Sequence, residues 1–197
     1  MSKKVIRQRS AEDRLPCEDG EPMETEYHYS QMVLLKECLQ EYFKDQEVYV
    51  GANMFVYYSE QQVKNDDFKG PDVFVVLNAS KRMRKSWVVW EEGKGPDVVI
   101  ELLSETTKKN DLLDKKDVYQ NKLKVLEYYY FSPLTFEWAG FRLEDGVYRD
   151  IEPDEEGRIK SEELGLYLMR WQGVYKGEDR IWMRMSDRFG NKIPTPD

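Results

Sequence analysis

Cysteine is scarce: Cys17 and Cys38 are the only two in 197 residues. They lie far apart and outside any metal-binding spacing, so neither a disulfide framework nor a cysteine metal site is expected, and idle thiols in a reducing compartment are. No apolar run approaches the roughly 18 residues that span a bilayer. The first twenty residues, MSKKVIRQRSAEDRLPCEDG, contain no apolar segment of the secretory kind, and a cytoplasmic location is the expectation. Excess positive charge is also missing. Lys and Arg number 30 against 38 Asp and Glu, for a net charge of −8. That balance argues against a protein that coats nucleic acid, which shows a basic footprint. It leaves room for an acidic metal site with a local basic patch. Internal repeats and low-complexity tracts are absent as well.

What is present is the composition of a globular protein, 40% hydrophobic and 13% aromatic, with enough length to bury a core. Residues 1–20 are polar and aperiodic and are expected to form a flexible arm. A single domain is expected over 21–190, with 191–197 as a tail. Met23 to Lys44 has helical spacing through Tyr27, Val33 or Leu34, Cys38 and Tyr42, and an acidic first turn at Glu24 and Glu26. EVYVGANMFVYYSE suggests two strand pieces joined by a bend, and PDVFVVL a strand starting at Asp72. A basic connection follows, with Lys81, Arg82, Arg84 and Lys85, and SWVVWEEGKG suits an edge strand or short turn. After GPDVVIELLS come a helix from about Asp111 to Lys122, the β-type run VLEYYYFSP, and a hairpin turning at Asp145-Gly146. The C-terminal third is β-rich. The order predicts an α/β or α+β sheet around a central strand–helix–strand unit.

GPDVFVVL and GPDVVIELL each place a carboxylate at the mouth of an apolar strand. In the second, Asp97, Val99 and Glu101 share one face and Val98, Ile100 and Leu102 the other. If the two strands are neighbours, Asp72 and Glu101 converge at one edge of the sheet. Paired carboxylates repel unless they share a proton or a cation, and hard oxygen donors suit Mg²⁺ or Mn²⁺. A mid-strand Glu that pairs with Lys, or an Asp that caps a turn, is the structural alternative. In DLLDKKDVYQNKL the stripe Leu112, Tyr119, Leu123 faces the sheet, flanked by Lys115 on one side and Lys116 on the other. Either lysine could reach the carboxylates or a phosphate, and periodicity does not choose between them.

The segment GPDVVIELLSETTKKNDLLDKKDVYQNKLKVLEYYYFSP resembles the core of the Uma-type endonuclease family, which is restriction-endonuclease-like. The first helix, GANMFVYY, GPDVFVV, WEEGKGPD and RIKSEELGLYL extend the resemblance over most of the chain beyond residue 20. It implies membership of the PD-(D/E)XK nuclease superfamily: a mixed β-sheet flanked by helices, with extra β-hairpins toward the C-terminus. It further implies a Mg²⁺-dependent endonuclease acting on DNA, with Mn²⁺ as substitute. Asp72 matches the metal-binding Asp and Glu101 the second metal carboxylate. The usual Lys position holds Leu103, a departure, and the resemblance transfers the catalytic lysine to Lys115, with Lys116 as understudy. Asp97, Glu24 or Glu26, His28 and Tyr119 fall at supporting positions. The alternative is a catalytically silent scaffold that binds nucleic acid or protein. The aromatic load is compatible with a homodimer interface as well as with a large core.

Overall fold

The computed structural model describes residues 10–11, 15, 25–61, 67–104 and 109–196, with the backbone alone at 109–111. The expected two strand pieces are β1 (Val48–Ala52) and β2 (Val56–Tyr57), preceded by helix α1 (Glu26–Tyr42). Then follow β3 (Phe68–Lys69), β4 (Val73–Leu77), β5 (Trp87–Val88), the short α2 (Val89–Glu92) and β6 (Val98–Leu102). Helix α3 (Lys109–Val118) runs into a π-helical turn, Tyr119–Leu123. Six strands complete the chain: β7 (Glu127–Phe131), β8 (Trp138–Glu144), β9 (Val147–Asp150), β10 (Ile159–Ser161), β11 (Leu166–Tyr175) and β12 (Glu178–Ser186).

The main sheet has the order β1-β4-β6-β7-β8-β9. Only the β6–β7 pair is parallel, as a strand–helix–strand crossover requires; the other pairs are antiparallel. The sheet is therefore mixed and flanked by helices, as expected. The β8–β9 turn at Asp145 and Gly146 has φ of 50° and 80°, the left-handed pair that a two-residue hairpin needs. Lys176 and Gly177 repeat it between β11 and β12, with φ of 50° and 83°.

Both faces of the sheet are covered. On one, Val73, Val75, Val98, Ile100, Leu102, Tyr129 and Phe131 pack with α1 and with the antiparallel sheet β10-β11-β12. On the other, Phe74, Val76, Val99 and Tyr128 pack with Tyr119 and Leu123 of the π-helical turn and with Val56 and Trp87 of the small sheet β3-β2-β5. Burial on two faces is why β6 is apolar along its whole length apart from Glu101.

Helix α1 turns Leu34 and Cys38 of the expected stripe inward, but the stripe is shifted around them. Gln31, Leu34, Leu35, Cys38 and Leu39 are buried, whereas Tyr42 is exposed. The polar Gln31 belongs there because it clamps the helix to β12: its Nε2 donates to Met183 O (3.0 Å) and its Oε1 accepts from Met183 N (2.8 Å). Within the segment expected to be an arm, Ala11 and Leu15 pack on the small sheet, and Ala11 N donates to the Glu91 carboxylate. Within the expected tail, Ile193 is buried, and its carbonyl accepts from Arg184. Cys38 is a buried thiol in the core, and Cys17 lies outside the described residues.

Candidate active site

The site is built at the end of the sheet where β4 begins and β6 ends. The antiparallel register opposes Val73 to Ile100, so the next positions outward are Asp72 and Glu101. Pro71 has no N–H with which to continue the ladder. Instead the Asp72 carboxylate completes it, with Oδ2 accepting from Leu102 N at 2.8 Å. The other oxygen, Oδ1, lies 2.7 Å from His28 Nε2. His28 is presented by the first turn of α1, where Thr25 caps the helix and accepts from His28 N at 3.0 Å.

Glu101 occupies the same face of β6 as Val99, beneath α3 and the π-helical turn, and its side chain is 2% exposed. Its Oε2 accepts from Lys115 Nζ at 3.0 Å, and its Oε1 accepts from the Tyr119 hydroxyl. Burial, the largest influence, pushes the Glu101 carboxyl up to about 7. The nearby Asp72 charge pushes it the same way, while Lys115 and Tyr119 oppose both. Tyr119 is itself held far above its ordinary value, by burial first and by the Glu101 charge second. A single π-helical turn inside a helical segment commonly marks a functional site. Here it begins at Tyr119, one turn after Lys115.

The two lysines that flank the helical stripe are thereby separated. Lys115 meets Glu101, whereas Lys116 lies 3.3 Å from the centroid of the Phe141 ring, where burial lowers its pKa against the pull of Asp150. Asp97 is at the opposite end of β6. Its carboxylate accepts from Leu77 N (2.6 Å) and pairs with Lys94 (2.7 Å), which ties the ends of β4 and β6 together. Glu24 lies outside the described residues. The basic connection also sits at that opposite end, one strand length or roughly 15 Å from Asp72. Three of its side chains have structural partners there. Lys81 caps α1 through the carbonyls of Phe43 and Lys44. Arg82 and Arg84 pair with Glu92, and Arg84 stacks on Tyr49 and Trp87.

The donor set suits a hard divalent cation. Mg²⁺ is typically held by one or two carboxylates, with waters and substrate phosphate oxygens completing its shell. Asp72 and Glu101 are two such groups, and the Asp72 charge raises the proton affinity of Glu101, a repulsion that a cation relieves. Among the described residues no group of three or more His, Cys, Asp and Glu forms an all-protein cage, so any ion here would keep open positions.

The sequence of residues 10–172 matches the model of a family, Uma2, described as "Putative restriction endonuclease". The chain belongs to the Uma2 family. Membership places it among nuclease-like proteins. Its fold is similar to that in a crystal structure titled "a putative nuclease belonging to DUF820" from Anabaena variabilis ATCC 29413. The TM-score is 0.54 at 11% identity, over 73% of this chain and 76% of that one. No curated protein matches this Uma2 sequence.

A pocket of about 330 Å³ shares His28 with the Asp72 contact, although neither Asp72, Glu101 nor Lys115 lines it. It is bounded by Thr25–His28 of α1, Leu103 and Ser104 after β6, Pro133 and Leu134 after β7, and Arg180 of β12. Sequence reasoning marked His28 and Glu26 among these residues as site positions, Leu103 as the vacant lysine position and Tyr27 as part of the helical stripe. Arg180, 152 positions from His28, carries no local signal; the Gln31–Met183 clamp brings α1 and β12 together.

Proposed function

We propose that this chain is a Mg²⁺-dependent endonuclease that hydrolyses DNA phosphodiester bonds, with Asp72 and Glu101 as the metal carboxylates and Lys115 as the catalytic lysine. One observation carries the reading: Lys115 reaches Glu101 from the following helix, and Glu101 sits at the register position next to Asp72. A lysine delivered by α3 supplies the charge that Leu103 cannot. The family match supports hydrolysis of nucleic acid as the reaction class.

A bound Mg²⁺ would supply Lewis-acid polarisation of the phosphate and a water of lowered pKa. The chain's own groups do the rest. Lys115, 25% exposed, is partly solvent-facing, and its ammonium charge can stabilise charge that develops on a phosphate there. Tyr119 fixes the rotamer of Glu101 by donating to Oε1, a bond that favours the ionised carboxylate against the burial that favours the neutral acid. His28 and Leu102 N hold both oxygens of Asp72. Preorganisation of this kind avoids reorientation at the moment of reaction.

The test is nicking of supercoiled plasmid by the purified full chain in Mg²⁺ and in EDTA, with Asp72→Asn, Glu101→Gln and Lys115→Met in parallel. Cleavage only with the metal, and a loss of at least about 100-fold in each variant, is expected. A folded chain that leaves plasmid, linear duplex and single strands uncut with every divalent ion would instead be the silent scaffold.

A further inference from the structure

Arg180 and the pocket that His28 shares with the site are not used by the chemistry described above. Tyr27 and His28 are consecutive residues that look two ways: His28 bonds Asp72, while Tyr27 lies under Arg180. The guanidinium carbon of Arg180 sits 4.8 Å from the Tyr27 ring centroid. That ring is fixed by its hydroxyl, which donates to Ile181 O, and by an edge-on contact with Trp182 at 4.9 Å. Arg180 is thus held at the pocket rim by stacking, while its ion pair with Glu178 is long, 3.3 Å, and exposed. One Nε–H bond to Glu178 leaves donors of its five-donor fork for an oxyanion. Below the rim the walls are Leu103, Pro133 and Leu134, with Leu134 59% exposed. Leu103 lies two residues beyond Glu101.

We infer that this pocket receives one unpaired nucleotide of the DNA strand, next to the phosphate that is cut, with Arg180 gripping its phosphate and the Leu103–Pro133–Leu134 wall taking its sugar and base. The inference rests on the nuclease reading above and narrows it to substrates with an unstacked nucleotide. The volume is at the lower end of the ~300–1,000 Å³ range of small-ligand sites, which suits one nucleotide and not a base pair. An apolar wall under a single cation matches the division of a nucleotide into base and phosphate, and enzymes that take up such a unit bind single strands or extrude a base. Glu26, on the same rim, is an acceptor suited to an exocyclic amino group. A second basic contact is Lys176, which joins Arg180, Tyr27 and Glu26 in lining an adjoining cavity of about 170 Å³ and extends the track along the β11–β12 hairpin.

The experiment measures binding by fluorescence anisotropy in EDTA, where cleavage does not intervene. The probes are a fluorescein-labelled 12-nucleotide DNA strand of mixed sequence, the same strand annealed to its complement, and the duplex with a one-nucleotide gap. Wild type is expected to bind the single strand and the gapped duplex at least about tenfold more tightly than the intact duplex. Arg180→Gln and Leu134→Ser, the second of which removes part of the apolar wall at an exposed position, should each remove most of that preference with the melting temperature unchanged. Equal affinity for all three probes, absence of binding to any of them, or a preference that survives both variants would overturn the inference. Metal-dependent nicking of plasmid by the same preparation separates the two failures: if it persists, the nuclease reading stands without this subsite.

Discussion

Replacing Glu101 by Gln should stabilise the metal-free protein at neutral and alkaline pH. The carboxyl of Glu101 is displaced from an ordinary 4.5 to about 7, chiefly by burial. Its folded-state pKa is raised, so its favourable contribution to folding is complete below about pH 4.5 and is lost as pH climbs through 7. Each pH unit of displacement corresponds to about 1.4 kcal/mol, so above pH 8 the ionised side chain costs the fold about 3 kcal/mol relative to the protonated one. Gln has the shape of the protonated acid, can still accept from Tyr119, and does not ionise. At pH 4.5 the two proteins should therefore melt together. At pH 8 the variant should melt roughly 6–12 °C higher, at about 2–4 °C per kcal/mol for a domain of this size. The assay is calorimetry in EDTA from pH 4.5 to 8.5. A difference between the two proteins that stays constant across this range, or a variant less stable at pH 8, refutes the claim that Glu101 is a strained buried carboxylate. Added Mn²⁺ should reverse the order, because ligand that binds the folded wild type stabilises it by mass action.

Further outcomes follow from the same contacts. Tyr119→Phe leaves Oε1 of buried Glu101 without its donor; it should cost about 1–3 kcal/mol and move the Glu101 transition to still higher pH, measured by the same calorimetric series. Lys115→Met should abolish nicking whereas Lys116→Met, at the Phe141 ring, should change it less than tenfold; similar losses in both would return the choice between them to the open state in which periodicity leaves it. Glu127 is buried among Arg142, Ser161, Tyr129 and the backbone of Glu162, so Glu127→Ala should cost about 3–5 kcal/mol by urea unfolding without touching the site at the other end of the sheet. Gly140→Ala would set a Cβ 2.7 Å from the Tyr129 ring and 2.9 Å from Ile159, an overpacking worth about 1–3 kcal/mol in the same assay.

The pairing of Asp72 with Glu101 is legible in the sequence because strand side chains alternate with period two and the two Gly-Pro-Asp strands proved to be neighbours. Their mixed sheet and the hairpin at Asp145-Gly146 are legible for comparable, local reasons. The choice between Lys115 and Lys116 is not legible from periodicity, and only the family resemblance favours Lys115. Both flank the Leu112–Tyr119–Leu123 stripe, and only the packed position of α3 and its π-helical turn decides which one meets β6. Gln31, polar and fully buried, defeats an apolar-stripe argument for α1, since its reason for burial is a backbone rung 152 residues away. The basic run from Lys81 to Lys85 suits a solvated loop or flanking phosphates when only charge is counted. Its partners, the C-terminal carbonyls of α1 and the carboxylate of Glu92, come into view only in three dimensions. Asp97 is eye-catching in sequence for its place in a Pro-Asp motif, yet its work is to join strand ends through Leu77 and Lys94.

The most direct test of the account is the anomalous scattering of manganese in a crystal of the full chain soaked in Mn²⁺. A peak bridging the Asp72 and Glu101 carboxylates, absent from an identically treated Glu101→Gln crystal, is the predicted result. Occupied manganese elsewhere in the molecule with nothing between Asp72 and Glu101 would contradict it.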